Sequence, residues 1–301
     1  MNYIGVDIGG HFTKVGLVQN EKLVYKTKAP TPKGEQAIFE TVFSLIDKIL
    51  QAQKPPSGIG IGIAGLVLAD KGLLLSAINL GLGNIDFAKI VHQKYNVPVK
   101  ICNDVSAFAL AEARTQKTDN LVFVTIGTGI NVGVVNNGKL FAGANGASLE
   151  YGHTALYRIN ITSDTKAECA KEKLTCQCGL VGCVESLVSG TAIMNNAKRA
   201  NLSASRPEDV FEKYKTNSAA KEIIDNFINA LGVMLTNICN TYRPEKIFLG
   251  GGLSASLAPF MTKLNKILKE NNYGYKNAPA VTVHLSTQES DGGVLGAALL
   301  F

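Results

Sequence analysis

Residues able to do chemistry gather in a few short stretches. In the run CQCGLVGC, Cys176, Cys178 and Cys183 fall within eight residues, downstream of His153 in LEYGH. Three thiolates and one imidazole make a tetrahedral Zn2+ set. The competing reading is three cysteines that merely pack, and Cys-x-Cys is tighter than the usual finger spacing. A single cluster with no basic helix after it does not make a nucleic-acid finger. Glu185 follows Cys183 by two residues, so a metal-pinned loop would fix its carboxylate, the plainer alternative being a solvated Glu at a helix start. Glu150 and His153 stand three apart and share a face of a helical turn. Asn103-Asp104 falls between VKIC and SAFALAEA, at the carboxyl end of a strand, where open α/β sheets hold their ligands. There Asp104 can accept a proton from a hydroxyl nucleophile while Asn103 bonds a neighbouring hydroxyl. Both residues also suit simple helix capping.

Glycine turns form the second set. Asp7 precedes Gly9-Gly10 at a strand end, and a carboxylate beside a bare turn can hold Mg2+-bound water near a polyphosphate. The stretch LVFVTIGTGINVGVV repeats the plan of YIGVDIGGHFTKVGLV, which aligns Ile8-Gly9-Gly10 with Ile126-Gly127-Thr128 and reads as a duplicated unit. A third turn lies in IFLGGGLS, residues 247–254. Bare backbone lets N–H groups approach phosphate oxygens. Two familiar phosphate patterns are set aside. Gly60, Gly62 and Gly65 satisfy the dinucleotide spacing but lead into LVLAD rather than a helix. Gly133 to Lys139 lacks the magnesium-binding hydroxyl of a Walker loop, and Asn137-Gly138 is a hairpin turn.

These residues need a scaffold, and the pattern supplies one. Runs at 3–8, 12–18, 59–64 and 99–102 predict strands, and helices are predicted over 34–53, 87–95 with Asp86 as cap, 106–114 and 219–240. Residues 155–175 and 201–218 read as irregular surface excursions. Strands alternating with helices give an α/β class. Two lobes are expected from 301 residues at roughly 150 per domain. The boundaries are 1–117, joined by a returning helix at 291–301, and 118–290, carrying the cysteine cluster.

With 46% hydrophobic and 18% charged residues the chain can bury a sizeable core. Its formal charge of +6 is spread without a basic block, which favours an anionic ligand weakly and nucleic acid hardly at all. No apolar run approaches the roughly 18 residues of a membrane span, and the start does not resemble a signal peptide. A cytoplasmic address is expected, where six cysteines stay reduced.

Taken together, DIGG (7–10), ND (103–104), IGTG (126–129), LEYGH (149–153), CQCGLVGCVE (176–185) and LGGGLS (249–254) resemble the ROK family of sugar kinases and sugar-responsive repressors over essentially the whole chain. The resemblance implies a two-lobed, actin-like (ribonuclease H-like) ATPase fold. It implies ATP-dependent phosphorylation of a hexose, glucose first, with N-acetylmannosamine, N-acetylglucosamine, fructose or a β-glucoside as alternatives. Asp104 looks like the general base. Gly65, Asn103, Glu150, His153 and Glu185 look like sugar-side groups, His153 serving zinc as well. Gly9, Gly10, Thr13, Gly127, Thr128, Gly129 and Gly251 would surround ATP, with Asp7 toward Mg2+. Zn2+ would be structural, held by His153, Cys176, Cys178 and Cys183. A homodimer or homotetramer is implied, with neither nucleic acid nor membrane as partner. The chain departs from the family pattern at His11, usually Thr, at Asn131-Val132 and at Leu149, commonly Gly. A non-catalytic sugar-binding regulator is the rival reading. Its DNA-binding repressor form is disfavoured because a first glycine turn within ten residues of Met1 leaves no room for a helix-turn-helix, whereas a non-catalytic sugar-binding protein altered at His11 stays as the alternative. An acetate- or pantothenate-type kinase is disfavoured by the cysteine motif.

Overall fold

The computed structural model describes residues 1–51, 55–156, 175–176, 178–274, 277, 279–288 and 290–301. The chain forms two compact units, one of Met1–Phe123, Gly133–Leu149 and Thr287–Phe301, the other of Val124–Val132 and Glu150–Ser286.

The first unit is built on a sheet of order β3-β2-β1-β4-β8, with β1 Asn2–Ile8, β2 Phe12–Gln19, β3 Lys22–Pro30, β4 Gly58–Ile63 and β8 Val99–Asn103. The first three strands form an antiparallel meander, and β4 and β8 add in parallel. Helix α1, Glu35–Leu50, buries Ile38, Phe39, Val42, Leu45, Ile46 and Ile49, the stripe expected from its spacing. Truncating one of these to Ala would cost about 2–5 kcal/mol. Between β4 and β8 lie a small antiparallel sheet of β5 Leu66–Leu68, β6 Leu73–Ala77 and β7 Leu82–Asp86, and helix α2, Phe87–Tyr95. The Asp86 side chain caps α2 by accepting from Lys89 N–H at 3.1 Å, as the sequence suggested. Helix α3, Asp104–Gln116, starts two residues earlier than its apolar pattern. The final helix α8, Gly292–Ala298, lies on β1, β4 and α3 at such close range that a Cβ on Gly5, Gly60 or Gly296 would meet the carbonyl of Val294, Ala297 or Ala107. Its small residues are what allow that approach.

The second sheet has the order β11-β10-β9-β12-β13, from β9 Leu121–Ile126, β10 Ile130–Asn136, β11 Lys139–Leu140, β12 Lys246–Gly250 and β13 Thr282–Leu285. The order repeats that of the first sheet strand for strand, so the duplication seen in the glycine turns extends to the whole scaffold. Asn137 and Gly138 take φ of 50° and 71° at the β10–β11 hairpin, the left-handed pair that such turns need. Helices of this unit are α4 Gly190–Arg199, α5 Pro207–Glu212, α6 Ser218–Tyr242 and α7 Met261–Asn271. Helix α5 corrects the reading of 201–218 as irregular. Pro207 opens the helix, and Asp209 Oδ2 accepts from the N–H groups of Ser205 and Arg206 at 2.7 and 3.2 Å. Most of the other excursion, 155–175, lies outside the described residues. Arg243 ends α6 in a left-handed conformation, φ 47°, before Pro244.

Among the described residues, no helix is long and apolar enough to cross a membrane.

Candidate active site and metal centre

In the first unit, Asp7 is the second-last residue of β1, which ends at Ile8 and turns through Gly9 and Gly10 into β2. Strand register sets Lys14 opposite Asp7, and their side chains meet at 3.2 Å, with Lys14 Nζ also donating to Ser290 O at 2.6 Å. Burial pushes the Asp7 carboxyl above its usual range, and Lys14 opposes that shift. The turn is closed by Gly9 N–H to Phe12 O at 3.1 Å. A Cβ on Gly10 would meet nothing within 4 Å, so no packing contact requires glycine there. His11 is exposed at the same turn. Thr13 is fully buried, its hydroxyl bonded to that of Thr31 at 2.9 Å, so it ties β2 to the end of β3 instead of facing outward.

Asn103 closes β8 and caps α3. Its Oδ1 accepts from Val105 N–H at 2.9 Å and its Nδ2 donates to Gly65 O at 3.0 Å. Gly65 has φ 155°, and a Cβ there would strike the Ser76 carbonyl, so the position needs glycine for the chain's own sake. Capping and positioning are thus one arrangement: the amide that starts α3 also holds the Gly65 strand end against it. Asp104 is the first residue of α3. Burial and then the Asp7 charge push its carboxyl up to about 7, opposed by hydrogen bonds from the Val105 and Asp104 N–H groups and the Asn103 side chain. A carboxyl titrating there is poised as a general base near neutral pH.

The second unit stacks two glycine turns. Leu253 N–H donates to Ile126 O at 3.0 Å. Gly251 has φ 87°, with room for no Cβ because Ile126 O would lie 2.5 Å away. Helix α4, capped by Ser189 through Ala192 N–H at 3.0 Å, donates Gly190 N–H to Gly127 O at 2.7 Å and Thr191 N–H to Thr128 O at 3.2 Å. These bonds brace the Gly127-Thr128 turn from behind. Gly129 serves a neighbour: a Cβ on it would collide with the Glu185 carboxylate, whose Oε2 accepts from Ile130 N–H at 3.3 Å.

That carboxylate sits beside the cysteine cluster. Turns at Tyr151–His153 and Val184–Ser186 lie side by side, tied by Val184 N–H to Thr154 O at 2.8 Å, and both Glu150 and Glu185 are half-buried there. The ligand atoms of His153, Cys176, Cys178 and Cys183 all lie within 4.8 Å of one another. A tetrahedral ion with metal–sulfur bonds of about 2.3 Å and a metal–nitrogen bond of about 2.0 Å sets sulfurs about 3.8 Å apart and sulfur and nitrogen about 3.5 Å apart. The cluster has 3.7 Å between Cys178 Sγ and Cys183 Sγ, and 3.6 Å between Cys176 Sγ and His153 Nδ1. Burial pushes the Cys176 and Cys183 thiols up to about 12 and about 11. The four residues therefore fit a divalent metal in both chemistry and spacing.

The sequence matches the ROK family profile over residues 3–301. The chain belongs to the ROK family. This ROK protein is 28% identical to a glucokinase of Halalkalibacterium halodurans, covering 99% of this chain and 94% of that one. It is also 28% identical to a xylose repressor of Caldicellulosiruptor bescii, covering 90% of this chain and 70% of the repressor. Among solved structures, a ROK family glucokinase of Streptomyces griseus in complex with glucose and AMPPNP aligns with TM-score 0.79 at 25% identity, over 100% of this chain and 99% of that one. The two-lobed actin-like fold expected from the sequence is that of these ROK structures.

Of the residues singled out from the sequence, the structure gathers Asp7, Gly9, Gly10, Gly65, Asn103 and Asp104 in the first unit. It gathers Gly127, Thr128, Gly129, Glu150, His153, Glu185, Gly251 and the three cysteines in the second. Lys14 was missed. The register that pairs it with Asp7 depends on a four-residue connection, Gly9 to Phe12, between the paired residues Ile8 and Thr13, whereas a two-residue turn at Gly9-Gly10 would have set Phe12 opposite Asp7.

Proposed function

We propose that this ROK protein is an ATP-dependent sugar kinase that phosphorylates a hexose, glucose first, with Asp104 as general base. The observation that carries the reading is the Asp104 carboxyl, set at the start of α3 and raised to about 7 by burial and Asp7. In the step, the hexose hydroxyl oxygen forms a bond to the γ-phosphorus of ATP. The bond from that phosphorus to its bridging oxygen breaks, the electron pair leaves on ADP, and the hydroxyl proton goes to Asp104. Asn103, Glu150, His153 and Glu185 bond the sugar's other hydroxyls, a pattern that discriminates epimers. Gly10 and Thr128 present backbone N–H groups to phosphate oxygens, while Gly9 and Gly127, whose N–H groups close their own turns on Phe12 O and Gly129 O, leave bare backbone for the phosphates to approach. Asp7, its charge balanced by Lys14, would hold Mg2+ through water, and Mg2+ neutralises charge on the phosphates. His153, Cys176, Cys178 and Cys183 would hold a structural Zn2+, which orders the turns bearing Glu150 and Glu185.

The test is an ADP-coupled assay across a panel of glucose, N-acetylmannosamine, N-acetylglucosamine, fructose and a β-glucoside. ADP release that requires one sugar, and is lost in Asp104→Asn while sugar binding survives, is the expected result. Unchanged turnover in that variant removes Asp104 from the role. The resemblance to a xylose repressor favours a second reading, a sugar-binding protein without transferase activity. Sugar binding with no ADP from any member of the panel would support it.

A further inference from the structure

The second unit contains a cavity of about 380 Å3, walled on one side by Gly127, Thr128 and Gly252 and on the other by α4 and α5. From those helices Met194, Asn195, Pro207 and Glu208 line it. Glu208 is the only ionisable residue of the lining, and it feels the charge of Arg206 without forming an ion pair with it. Arg206, two residues before it, spends its guanidinium on Asp209 at 2.9 Å and Glu212 at 3.3 Å. Among the described residues, no hydrogen bond or ion pair joins the Glu208 side chain, although it is only partly exposed.

A lone carboxylate constrains what can lie beside it. It repels a polyphosphate, which the opposite wall of bare glycine turns suits, and it accepts hydrogen bonds from neutral hydroxyls. Met194 and Pro207 offer apolar surface to a flat ring. A molecule with an anionic end, a hydroxyl-bearing middle and a flat apolar end matches these walls, and a nucleoside triphosphate is that molecule. We propose that Glu208 accepts hydrogen bonds from the ribose hydroxyls of the phosphoryl donor, making the site selective for ribonucleotides over deoxynucleotides. This rests on the kinase reading and adds to it a residue that chooses the donor.

Hydrogen bonds to a charged acceptor contribute roughly tenfold to a hundredfold in affinity. The experiment measures Kd by thermal shift, and KM and kcat by the coupled assay, for ATP, 2′-deoxyATP and 3′-deoxyATP, with wild type, Glu208→Gln and Glu208→Ala. Wild type should bind ATP about tenfold or more tighter than at least one deoxy analogue. Both variants should raise KM for ATP toward the analogue's value while leaving kcat and the analogue's own KM nearly unchanged. Equal loss of affinity for all three nucleotides, or discrimination that survives in both variants, overturns the role of Glu208. So does a change confined to the preference between ATP and GTP, which would place the carboxylate at the base. Wild-type protein that binds no nucleotide sinks the kinase reading itself, and this role with it.

Discussion

The β1–β2 turn and the β9–β10 turn occupy the same place in two sheets of identical strand order, yet they are held in opposite ways. The first is bare at its tip: a backbone bond from Gly9 to Phe12 closes it, His11 O accepts from Thr31 N–H at 3.0 Å on its far side, and Gly10 faces open space. The second is braced, with Gly127 and Thr128 bonded to the start of α4 and the Gly251 turn seated against Ile126. What surrounds them differs as well. Two interacting carboxyls, Asp7 and Asp104, stand in the first unit, whereas the second has a cluster of soft metal ligands next to Glu185. The two sheets share one plan, and on the kinase reading proposed above the chemistry is divided between them: proton transfer in one, ordered polar binding groups in the other.

The sharpest division is in Asp104. With its folded pKa near 7 and its ordinary value 3.8, the folded protein holds this proton more tightly than the unfolded chain does. Stability is therefore greatest at acid pH on this account, and it declines as pH rises from about 4 to about 7, by a few kcal/mol at roughly 1.4 per pKa unit. A general base works only when deprotonated, so kcat/KM should climb through the same interval. Asp104→Asn should cut kcat by about 10²- to 10⁴-fold and flatten the climb. It should also raise the melting temperature at pH 8 and leave it nearly unchanged at pH 4. A variant that is both inactive and less stable at pH 8 would contradict the desolvated carboxyl.

In the second unit the largest effect should come from the metal. About one zinc per chain is expected by elemental analysis, following the fit of the four ligands. Cys178→Ala changes the exposed ligand and should lower both metal content and melting temperature, since binding energy at a structural site is folding energy. Full metal content with unaltered melting would show that the cysteines only pack.

A pair of glycine substitutions then tests bare against braced directly. Ala at Gly251 must adopt φ near 87° with its Cβ 2.5 Å from Ile126 O, and a loss of about 1–3 kcal/mol is expected in denaturant unfolding. Ala at Gly10 meets nothing and should keep stability within about 0.5 kcal/mol. Its ATP affinity should nevertheless fall about tenfold, because a methyl keeps phosphate oxygens from the backbone. If both variants lose stability alike, the first turn is as structural as the second.

Much of this was legible in the sequence where a local rule governs. Asp86 announced a cap, Asn137-Gly138 a hairpin, and the apolar stripe of α1 its buried face. The order of the six motifs gave the family before any coordinates. Long-range packing was not legible. Strands β3 and β5 to β7 lack a clean alternation because much of β3 is exposed and β5 has three residues, and Pro207 in a polar stretch concealed a helix of six. Nor does a glycine reveal in sequence whether a ligand or the protein itself needs it. Gly10, Gly65, Gly129 and Gly251 all look like turn residues, and only the space around each one separates their reasons.

Gly129 gives the smallest effect and the finest test. It sits in the IGTG turn, where resemblance assigns it to ATP, but the atom its Cβ would displace is a carboxylate oxygen of Glu185. A flexible side chain can yield, so Gly129→Ala should fold with little loss. It should shift Glu185 from Ile130 N–H and disturb the sugar side of the reaction, raising the hexose KM several-fold while the ATP KM stays nearly constant. The opposite split, a higher ATP KM with unchanged hexose KM, would return Gly129 to the nucleotide and make the second turn as ligand-facing as the first. Since Gly10→Ala is expected to act on ATP alone, the two variants together report whether neighbouring positions of the two corresponding turns have come to serve different substrates.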